Sequence, residues 1–398
     1  MKTKNGLWTD LVHAGERRQP PIGRPVATPI YATSAFSYDS MEDVDKVFSG
    51  EGGDYVYTRY GNPTIAALQD ALVTLEGGTV ACAYGSGMAA LHAALFACEL
   101  APDSTVLASQ DLYGATFDLL YKVFGSSGVK TVTADFNDLE AVRAKALDSK
   151  PTVLLAETLS NPLLKVCDLE AIAKIGKEVG ARLIVDNTFA SPFLCQPLAL
   201  GADFVIHSAT KYLGGHADAM GGIVVAKEEH DRLALVSIMK LAGGVMSVWE
   251  AHQIQRGVKT LGLRLERQCH NARQLAERFN GDPRLARVHY PGLSADAASG
   301  LVARVLRPPH GGALVSIELL DNTKEAAFRF MNALQLCVRL TSLGDVFTGV
   351  SHSASSSHRE VSPAQRKRLG IHDGLVRISV GIEDAADIIA DIDQALGK

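Results

Sequence analysis

Between residues 79 and 226, short apolar segments alternate with segments of helical character. The apolar segments read TVACAY, STVLAS, VKTVTA, TVLLAE, ARLIVDN, ADFVIHS and GGIVVA. They lack the polar–apolar alternation of strands that have one face in water, so they are typical of strands covered on both faces. We therefore predict an α/β fold, with a mainly parallel sheet that lies between two layers of helices.

The helices predicted between these strands begin at Met88 and then cover TFDLLYKVF, DLEAVRAKAL and LEAIAKIGKEVG. An earlier helix precedes the first strand, in TIAALQDALVTLEGG. Asn62 can cap its N-terminus, Pro63 suits its first turn, and Gly77 and Gly78 end it.

A long helical pattern from about Trp249 to Phe279 leaves the sheet, and a smaller region follows. That region contains the apolar strands ALVSIEL and GLVRISVG and a last helix after Glu383. The predicted parts are an N-terminal arm (1–62), the larger α/β domain (63–256) and a smaller C-terminal α/β domain (257–398).

The N-terminal segment 16–36 contains Pro20, Pro21, Pro25 and Pro29 and has no helical period. Proline removes backbone donors and fixes φ, which favours an extended arm over a helix. Such an arm either wraps a neighbouring subunit or is a floppy terminus, and the sequence leaves both alternatives open.

Composition narrows the class of protein. The 398 residues are 47% hydrophobic and 21% charged, with a net charge of −5 and no basic run that would favour nucleic acid. We see no secretory signal and no apolar stretch near the roughly 18 residues of a membrane helix, so we expect a cytoplasmic protein that binds no membrane. Six scattered cysteines form no CxxC pair, so reduced thiols are expected and a metal site is not. They are Cys82, Cys98, Cys167, Cys195, Cys269 and Cys337.

Polar residues follow the predicted strands at their carboxyl ends, where ligands bind in open parallel sheets. They are Ser86, Tyr113, Asn161, Asp186, Ser208, Thr210 and Lys211. One such residue means little, but several that converge on one crevice predict a binding site.

The turn YGSGMAAL is rich in glycine and opens a helix, so its free N–H groups suit a phosphate. A plain strand–helix turn is the alternative. Gly85, Gly87 and Ala90 also match the G-x-G-x-x-A pattern of dinucleotide sites, which makes an NAD-dependent oxidoreductase a rival. An NAD site also requires an acidic residue at the end of the next strand. The candidate is Asp111, which lies too far beyond that strand end, after Gln110, and this weakens the NAD alternative.

Lys211 lies in HSATKYLGGH, directly behind an apolar strand. A lysine usually lies in water, but this one is expected beside a phosphate-binding turn and a strand-end carboxylate, Asp186. Pyridoxal phosphate needs a lysine for its aldehyde, a carboxylate for its pyridine nitrogen and donors for its phosphate. The set predicts a Schiff base between Lys211 and this cofactor.

The chain resembles the γ-family of pyridoxal-phosphate enzymes of sulfur amino acid metabolism over nearly its whole length. The motifs that carry the resemblance are YTRYGNPT, GSGMAA, DLYGATF, ETLSNP, VDNTFASP, HSATKYLGGH, SLGD and GLVRISVGIED. The resemblance implies the aspartate aminotransferase-like fold (fold type I), with residues 63–256 as the cofactor-binding domain. It also implies a homo-oligomer, a tetramer of dimers with shared active sites, in which residues 1–62 contact the neighbouring subunit.

The resemblance assigns roles to matched positions. Lys211, Asp186 and Tyr113 would be catalytic: the Schiff-base lysine, the partner of the pyridine nitrogen, and a stacking acid–base group. Asn161 would lie near the ring hydroxyl. The phosphate would be held by Ser86, Gly87, Met88, Ser208 and Thr210, and by Tyr57 and Arg59 of the neighbouring subunit. The amino acid substrate would be bound by Arg377, Ser342, Asn161 and Tyr57.

Two features of the residues themselves agree with this assignment. Tyr57 and Arg59 are two apart on a stretch that we expect to be extended, so both would point to one face. In VRISV, Arg377 points away from the apolar neighbours on either side, and its guanidinium suits a carboxylate; a solvent-facing arginine is the alternative.

The reaction favoured is γ-elimination on methionine, cystathionine or homocysteine, because HSATKYLGGH, QRGVKTLGLR and SLGD are most similar to the γ-lyases. The alternative is γ-replacement, as in cystathionine γ-synthase or the O-acylhomoserine sulfhydrylases. The markers of the lyase subgroups are absent, since the matching positions hold Ala115, Leu241 and Thr341.

Overall fold

A seven-stranded sheet forms the centre of the larger part of the molecule, as described in a computed structural model that covers residues 5–15, 25–51 and 55–397. Its strands are β1 (Val80–Tyr84), β2 (Thr105–Ser109), β3 (Lys130–Ala134), β4 (Val153–Glu157), β5 (Arg182–Asp186), β6 (Phe204–Ser208) and β7 (Gly222–Ala226). Their order across the sheet is β1-β7-β6-β5-β4-β2-β3. All seven predicted strands are present.

Strand β7 is the one that runs against the others in this sheet: it pairs antiparallel with both β1 and β6. The remaining pairs are parallel, which confirms the predicted mainly parallel sheet. The reversal was not predicted. It follows because residues 209–221 connect β6 to β7 without the crossover helix that a parallel connection needs.

Helices cover both faces of the sheet. They are α1 (Leu7–His13), α2 (Met41–Phe48), α3 (Pro63–Glu76), α4 (Gly87–Ala97), α5 (Gly114–Asp118), α6 (Leu139–Ser149), α7 (Leu169–Val179), α8 (Ser191–Leu194), α9 (Arg232–Ala242) and α10 (Val248–Val258). One face of the sheet buries Leu107, Leu154, Leu183, Val185 and Val205. The other face buries Val106, Leu155, Ile184, Phe204 and Ile206. Burial on both faces is the reason these strands are apolar throughout.

Helix α3 begins and ends where the sequence predicts. The Asn62 side chain accepts the Thr64 N–H at 2.9 Å, and Pro63 is the first helical residue. Gly77 ends the helix in the left-handed conformation, with φ of 74°.

The structure divides the helix expected from Trp249 to Phe279 into α10 and α11 (Leu261–Phe279). Arg264 holds the break: its Nη2 donates to the Gly257 carbonyl at 2.8 Å and its Nε to the Thr260 hydroxyl at 3.2 Å. The same carbonyl also accepts the Thr260 N–H at 3.1 Å, so the bonds at the break converge on Gly257. The apolar period continues on both sides, so the pattern could not reveal the break.

A five-stranded sheet, in the order β10-β11-β12-β9-β8, forms the centre of the smaller part. Its strands are β8 (Leu285–His289), β9 (Leu314–Leu319), β10 (Val338–Arg339), β11 (Gly349–His352) and β12 (Leu375–Ser379). Its helices after α11 are α12 (Ala295–Ala298), α13 (Leu301–Val305), α14 (Lys324–Ala333), α15 (Pro363–Leu369) and α16 (Ala385–Leu396). The predicted strands β9 and β12 and the last helix are present. Strands β8, β10 and β11 were missed because they are short or partly exposed.

The N-terminal region, predicted as an arm, contains both helical and extended segments. Helix α1 packs on α3 and α11 of its own chain through Leu11, which is 2% exposed. Residues 25–36 contain no helix, as expected, whereas Pro20 and Pro21 lie outside the described residues. The domain boundaries and the contact with a neighbouring subunit stay predictions, and the boundary after residue 256 falls in the last turn of α10.

Candidate active site

A cavity of about 530 Å³ opens at the carboxyl ends of the parallel strands, between the two sheets. It brings together most of the predicted site residues. Those that line it are Ser86, Gly87, Met88, Tyr113, Asn161, Asp186, Ser208, Thr210, Lys211 and Arg377.

The glycine-rich turn after β1 leads into α4 at one wall of this cavity. Ser86 caps the helix and accepts the Ala89 N–H at 3.1 Å. A Cβ on Gly87 would lie 2.9 Å from the Ser208 Cβ, so the close approach of these two segments requires glycine. The remaining N–H groups of the first turn and the positive end of the helix suit an anion.

The Lys211 ammonium donates to the Ser342 hydroxyl at 3.0 Å. Burial and the nearby charge of Arg377 lower the pKa of this lysine, and Asp345 opposes them. A lowered pKa increases the fraction of neutral amine, the form that attacks a carbonyl carbon. Ser342 does not line the cavity, but it contacts the predicted catalytic nitrogen.

Asp186 ends β5 and accepts the Thr188 N–H at 2.9 Å. Burial raises the pKa of its carboxyl group, and no lysine or arginine pairs with it within the described residues. Thr188 and His207 oppose this shift, but neither supplies a fixed positive charge, and a carboxylate held away from water without one is costly. A protonated pyridine nitrogen would supply the missing partner, so this residue fits the cofactor.

Arg377 on β12 is 4% exposed and faces the cavity, away from the apolar core that Val376 and Ile378 contact. The alternative of a solvent-facing arginine is therefore wrong. Its Nη1 donates to the Asn161 side chain at 2.9 Å and its Nη2 to the Ser342 carbonyl at 3.3 Å. Burial lowers the pKa of the guanidinium to about 10. No carboxylate pairs with it in the part of the chain described, so the site fits a substrate carboxylate.

Tyr113 precedes α5, and its backbone N–H donates to the Glu157 carboxyl at 2.7 Å. Its side chain stays 40% exposed at the cavity. Gly114 packs against the carbonyl of Ser357, since a Cβ there would overlap that oxygen. The backbone that carries Tyr113 is therefore fixed at the cavity wall from two sides.

Tyr57 and Arg59 do not line the cavity of their own chain. The expected extended stretch is wrong at Arg59, because the Tyr60 and Gly61 N–H groups both bond to the Tyr57 carbonyl and form a turn. The two side chains still meet, with the Arg59 guanidinium 5.4 Å from the Tyr57 ring centroid. Arg59 also donates to the Lys240 carbonyl at 2.6 Å. Their contribution to a neighbour's site stays a prediction.

Several cavity residues were missed by the sequence reasoning. They are Leu91, Thr116, Glu157, Leu159, Thr188, Phe189, Met220, Leu343, Ser356 and Ser357. Glu157 ends TVLLAE, so the rule that found Asp186 could have found it. Ser356 and Ser357 lie in SHSASSSH, where no strand or helix period marks them.

The three positions at which the lyase subgroups carry marker residues lie in different places in the structure. Thr341 lines the cavity, whereas Leu241 is 82% exposed on α9 and Ala115 lies in the first turn of α5. Asp111, the acidic residue required by the NAD alternative, pairs with Lys165 at 2.9 Å and does not line the cavity.

Within residues 5–15, 25–51 and 55–397, no helix is long and apolar enough to cross a membrane, and no three His, Cys, Asp or Glu side chains cluster as metal ligands. All six cysteines are free and buried.

Comparisons with known proteins agree with this geometry. The family model of Cys/Met metabolism PLP-dependent enzymes matches residues 8–397. The chain is 40% identical to an L-methionine gamma-lyase of Pseudomonas putida (98% of this chain, 97% of that one) and to a cystathionine gamma-synthase of Mycobacterium tuberculosis (99% and 97%). The solved cystathionine gamma synthase from Xanthomonas oryzae pv. oryzae, in complex with cystathionine, superposes with a TM-score of 0.92 at 37% identity and covers 99% and 98%.

Proposed function

Since this chain belongs to the Cys/Met metabolism family of PLP-dependent enzymes, we propose that it catalyses γ-elimination on a sulfur-containing amino acid such as methionine, cystathionine or homocysteine. The products are a thiol, 2-oxobutanoate and ammonia. The observation that carries the proposal is one cavity that joins Lys211, Asp186 and Arg377. The PLP dependence of the family also favours pyridoxal phosphate over the NAD alternative.

The residues around the cavity divide into a phosphate end and a ring end. The turn at Ser86, Gly87 and Met88 supplies backbone donors for the phosphate, with the hydroxyls of Ser208 and Thr210 beside it. Asp186 would pair with the pyridine nitrogen, Asn161 would lie near the ring hydroxyl, and Tyr113 would stack on the ring. Pyridoxal phosphate, when bound, accepts the electrons released at the substrate Cα.

Arg377 binds the α-carboxylate of the substrate through its guanidinium, and Asn161 and Ser342 orient that guanidinium by accepting its N–H groups. The same contacts place the substrate Cα near Lys211, because Ser342 also accepts from the lysine. Holding the carboxylate beside the base in this way aligns the Cα–H bond that breaks.

Lys211 is the base that removes the Cα proton, and its lowered pKa favours the neutral amine that this step needs. Tyr113, which lines the same cavity, would be the second acid–base group. Loss of a further proton at Cβ then permits expulsion of the γ-substituent.

Tyr57 and Arg59 act in the cavity of a neighbouring subunit, where both would contact the phosphate and Tyr57 would also contact the substrate. Their position on the surface of their own chain supports this assignment, since they contribute nothing to their own cavity. The enzyme is accordingly a homo-oligomer, a tetramer built of dimers. We place it in the cytoplasm, where free buried cysteines stay reduced.

The second candidate is γ-replacement, in which a thiol adds instead of water. The cystathionine gamma-synthase of Mycobacterium tuberculosis, at 40% identity, favours it as much as the methionine gamma-lyase of Pseudomonas putida favours elimination. Thr341, Ala115 and Leu241 occupy the positions at which the lyase subgroups carry their marker residues. The absence of those markers is a second reason to test γ-replacement.

Product analysis decides between the two. The enzyme is incubated with L-methionine, L-homocysteine, L-cystathionine and O-acylhomoserines, each with and without L-cysteine. γ-Elimination predicts 2-oxobutanoate and ammonia without an added thiol. Cystathionine formed from an O-acylhomoserine and cysteine, with little 2-oxobutanoate from any substrate, would establish replacement instead.

A further inference from the structure

Glu157 and Asp186 form a carboxyl pair at one edge of the cavity. They are the last residues of β4 and β5 and directly oppose each other in the parallel ladder. Both side chains line the cavity. Only one of them, Asp186, has a role in the proposed function.

Glu157 connects two segments of the site. Its Oε1 accepts the Tyr113 N–H at 2.7 Å, and the backbone N–H of Asn161 also faces this carboxyl group. Its contacts therefore hold the segments that carry the predicted stacking ring and the predicted partner of the ring hydroxyl.

No cation compensates a charge on Glu157 within the described residues. Asp111, the next carboxylate, is held by Lys165 at 2.9 Å. Of the cavity cations, Lys211 bonds to Ser342, and Arg377 bonds to Asn161 and Ser342.

Two adjacent, half-buried carboxylates without a cation between them ionise together only at a cost in free energy. Burial raises the pKa of Glu157 well above its usual range, and Asp186 and Asp111 raise it further, although the N–H groups of Tyr113 and Asn161 oppose the shift. In the proposed cofactor site Asp186 keeps its charge, because it pairs with the protonated ring nitrogen. The proton of the pair therefore resides on Glu157.

We propose that Glu157 is a positioning residue: it stays uncharged beside Asp186 and fixes Tyr113 by accepting its backbone N–H. The inference rests on the proposed cofactor site. An uncharged Glu157 leaves the ring nitrogen with a single counter-charge, and its carbonyl oxygen still accepts the Tyr113 N–H and so fixes the start of α5.

The test compares wild-type holoenzyme with two variants of similar size. Glu157→Gln keeps an acceptor for Tyr113 and cannot ionise, whereas Glu157→Met removes the acceptor. Infrared difference spectra of wild type minus Glu157→Gln report the protonation of this carboxyl group. The rate at which each holoenzyme releases its cofactor, followed by visible absorbance, reports the positioning.

The expected difference spectrum at neutral pH contains a protonated-carboxyl band assigned to Glu157 and no carboxylate band. Cofactor release from Glu157→Gln is expected within about threefold of wild type, and release from Glu157→Met about tenfold faster, because the Tyr113 N–H loses the hydrogen bond that positions its segment. A carboxylate band, or equal release from both variants, overturns the inference. Should Glu157→Met fail to fold, the spectrum still decides. Neither readout involves substrate, so a failure here is distinct from a failure of γ-elimination.

Discussion

The Lys211 ammonium lies 3.0 Å from the hydroxyl of Ser342. This contact joins the connection that follows β6 in the larger sheet to a loop of the smaller part that precedes β11. The same loop packs further along the connection, where the Val346 N–H donates to the Gly215 carbonyl at 3.0 Å. The position of the predicted catalytic lysine therefore depends on how the two parts of the chain meet.

Gly344 gives a direct test of that dependence. It has φ of 84°, and a Cβ there would lie 2.7 Å from the Tyr212 backbone nitrogen. Gly344→Ala is expected to destabilise the holoenzyme and accelerate cofactor loss, because the loop must move away from Lys211. Gly243→Ala is the matched control, with φ of 75° and nothing within 4 Å of its Cβ.

Left-handed strain alone costs about 1 kcal/mol in both variants, and overlap adds about 1–3 kcal/mol more in Gly344→Ala. Urea unfolding midpoints measure the difference. Equal midpoints would show that the loop does not press on the lysine segment.

Asp186→Asn is expected to impair turnover far more than cofactor retention. The phosphate contacts stay, while the ring nitrogen loses the charge that keeps it protonated. A fall in kcat of about 100-fold corresponds to about 2.7 kcal/mol of barrier. Asp186→Glu, which keeps the charge, is expected to recover part of the rate. Turnover at the wild-type level in Asp186→Asn contradicts the role.

Arg377→Ala is expected to raise KM for the amino acid substrate about 10- to 100-fold, as is typical for loss of a charged hydrogen bond. Arg359→Ala, at an exposed position outside the cavity, is the control and should leave KM unchanged. Steady-state kinetics measure both. An unchanged KM in Arg377→Ala would mean that another group binds the carboxylate.

Burial of His358 is expected to lower the free energy of unfolding in acid. It is 2% exposed, and burial, with Arg377 and Arg366 nearby, lowers the pKa of its imidazole to about 4. An imidazole whose pKa is lower in the folded state contributes stability above pH 6.5 that is lost as the pH falls toward 4, by up to about 3 kcal/mol. His358→Gln should flatten this loss in unfolding experiments from pH 7 to pH 4. The exposed His230→Gln should follow wild type; a His358→Gln curve that also follows wild type would contradict the assignment.

Subunit complementation tests the assignment of Arg59 to a neighbour's site. Arg59→Ala and Lys211→Ala are each expected to be inactive, and dissociated mixtures should recover activity on reassembly. Random pairing makes about half of the dimers mixed. Each mixed dimer has one site with both defects and one intact site, so about a quarter of wild-type activity is expected. Verified mixed oligomers without activity would show that Arg59 serves its own subunit.

Much of the fold and of the site can be predicted from short segments of the sequence taken one at a time. Continuous apolar segments predict the central strands because both of their faces are covered, and Asn62 and Gly77 mark the ends of α3. The strand-end rule placed Ser86, Asp186 and Lys211 at one edge, since parallel strands share that edge.

Features set by contacts between distant segments were not predictable in this way. The break between α10 and α11 lies where Arg264 bonds back to Gly257, and a turn at Tyr57 replaces the extended stretch that was expected. Ser356 and Ser357 reach the cavity only because the smaller part packs over it. Periodicity carries no information on such contacts, and Arg377 was placed chiefly by resemblance.

The Schiff-base position is the central claim, and trapping measures it most directly. Borohydride reduction of the holoenzyme, followed by proteolysis and mass spectrometry, locates the lysine that carries the cofactor. The account predicts a reduced pyridoxyl group on Lys211, and none on the Lys211→Ala variant. An adduct on another lysine, with Lys211 unmodified, would contradict the account.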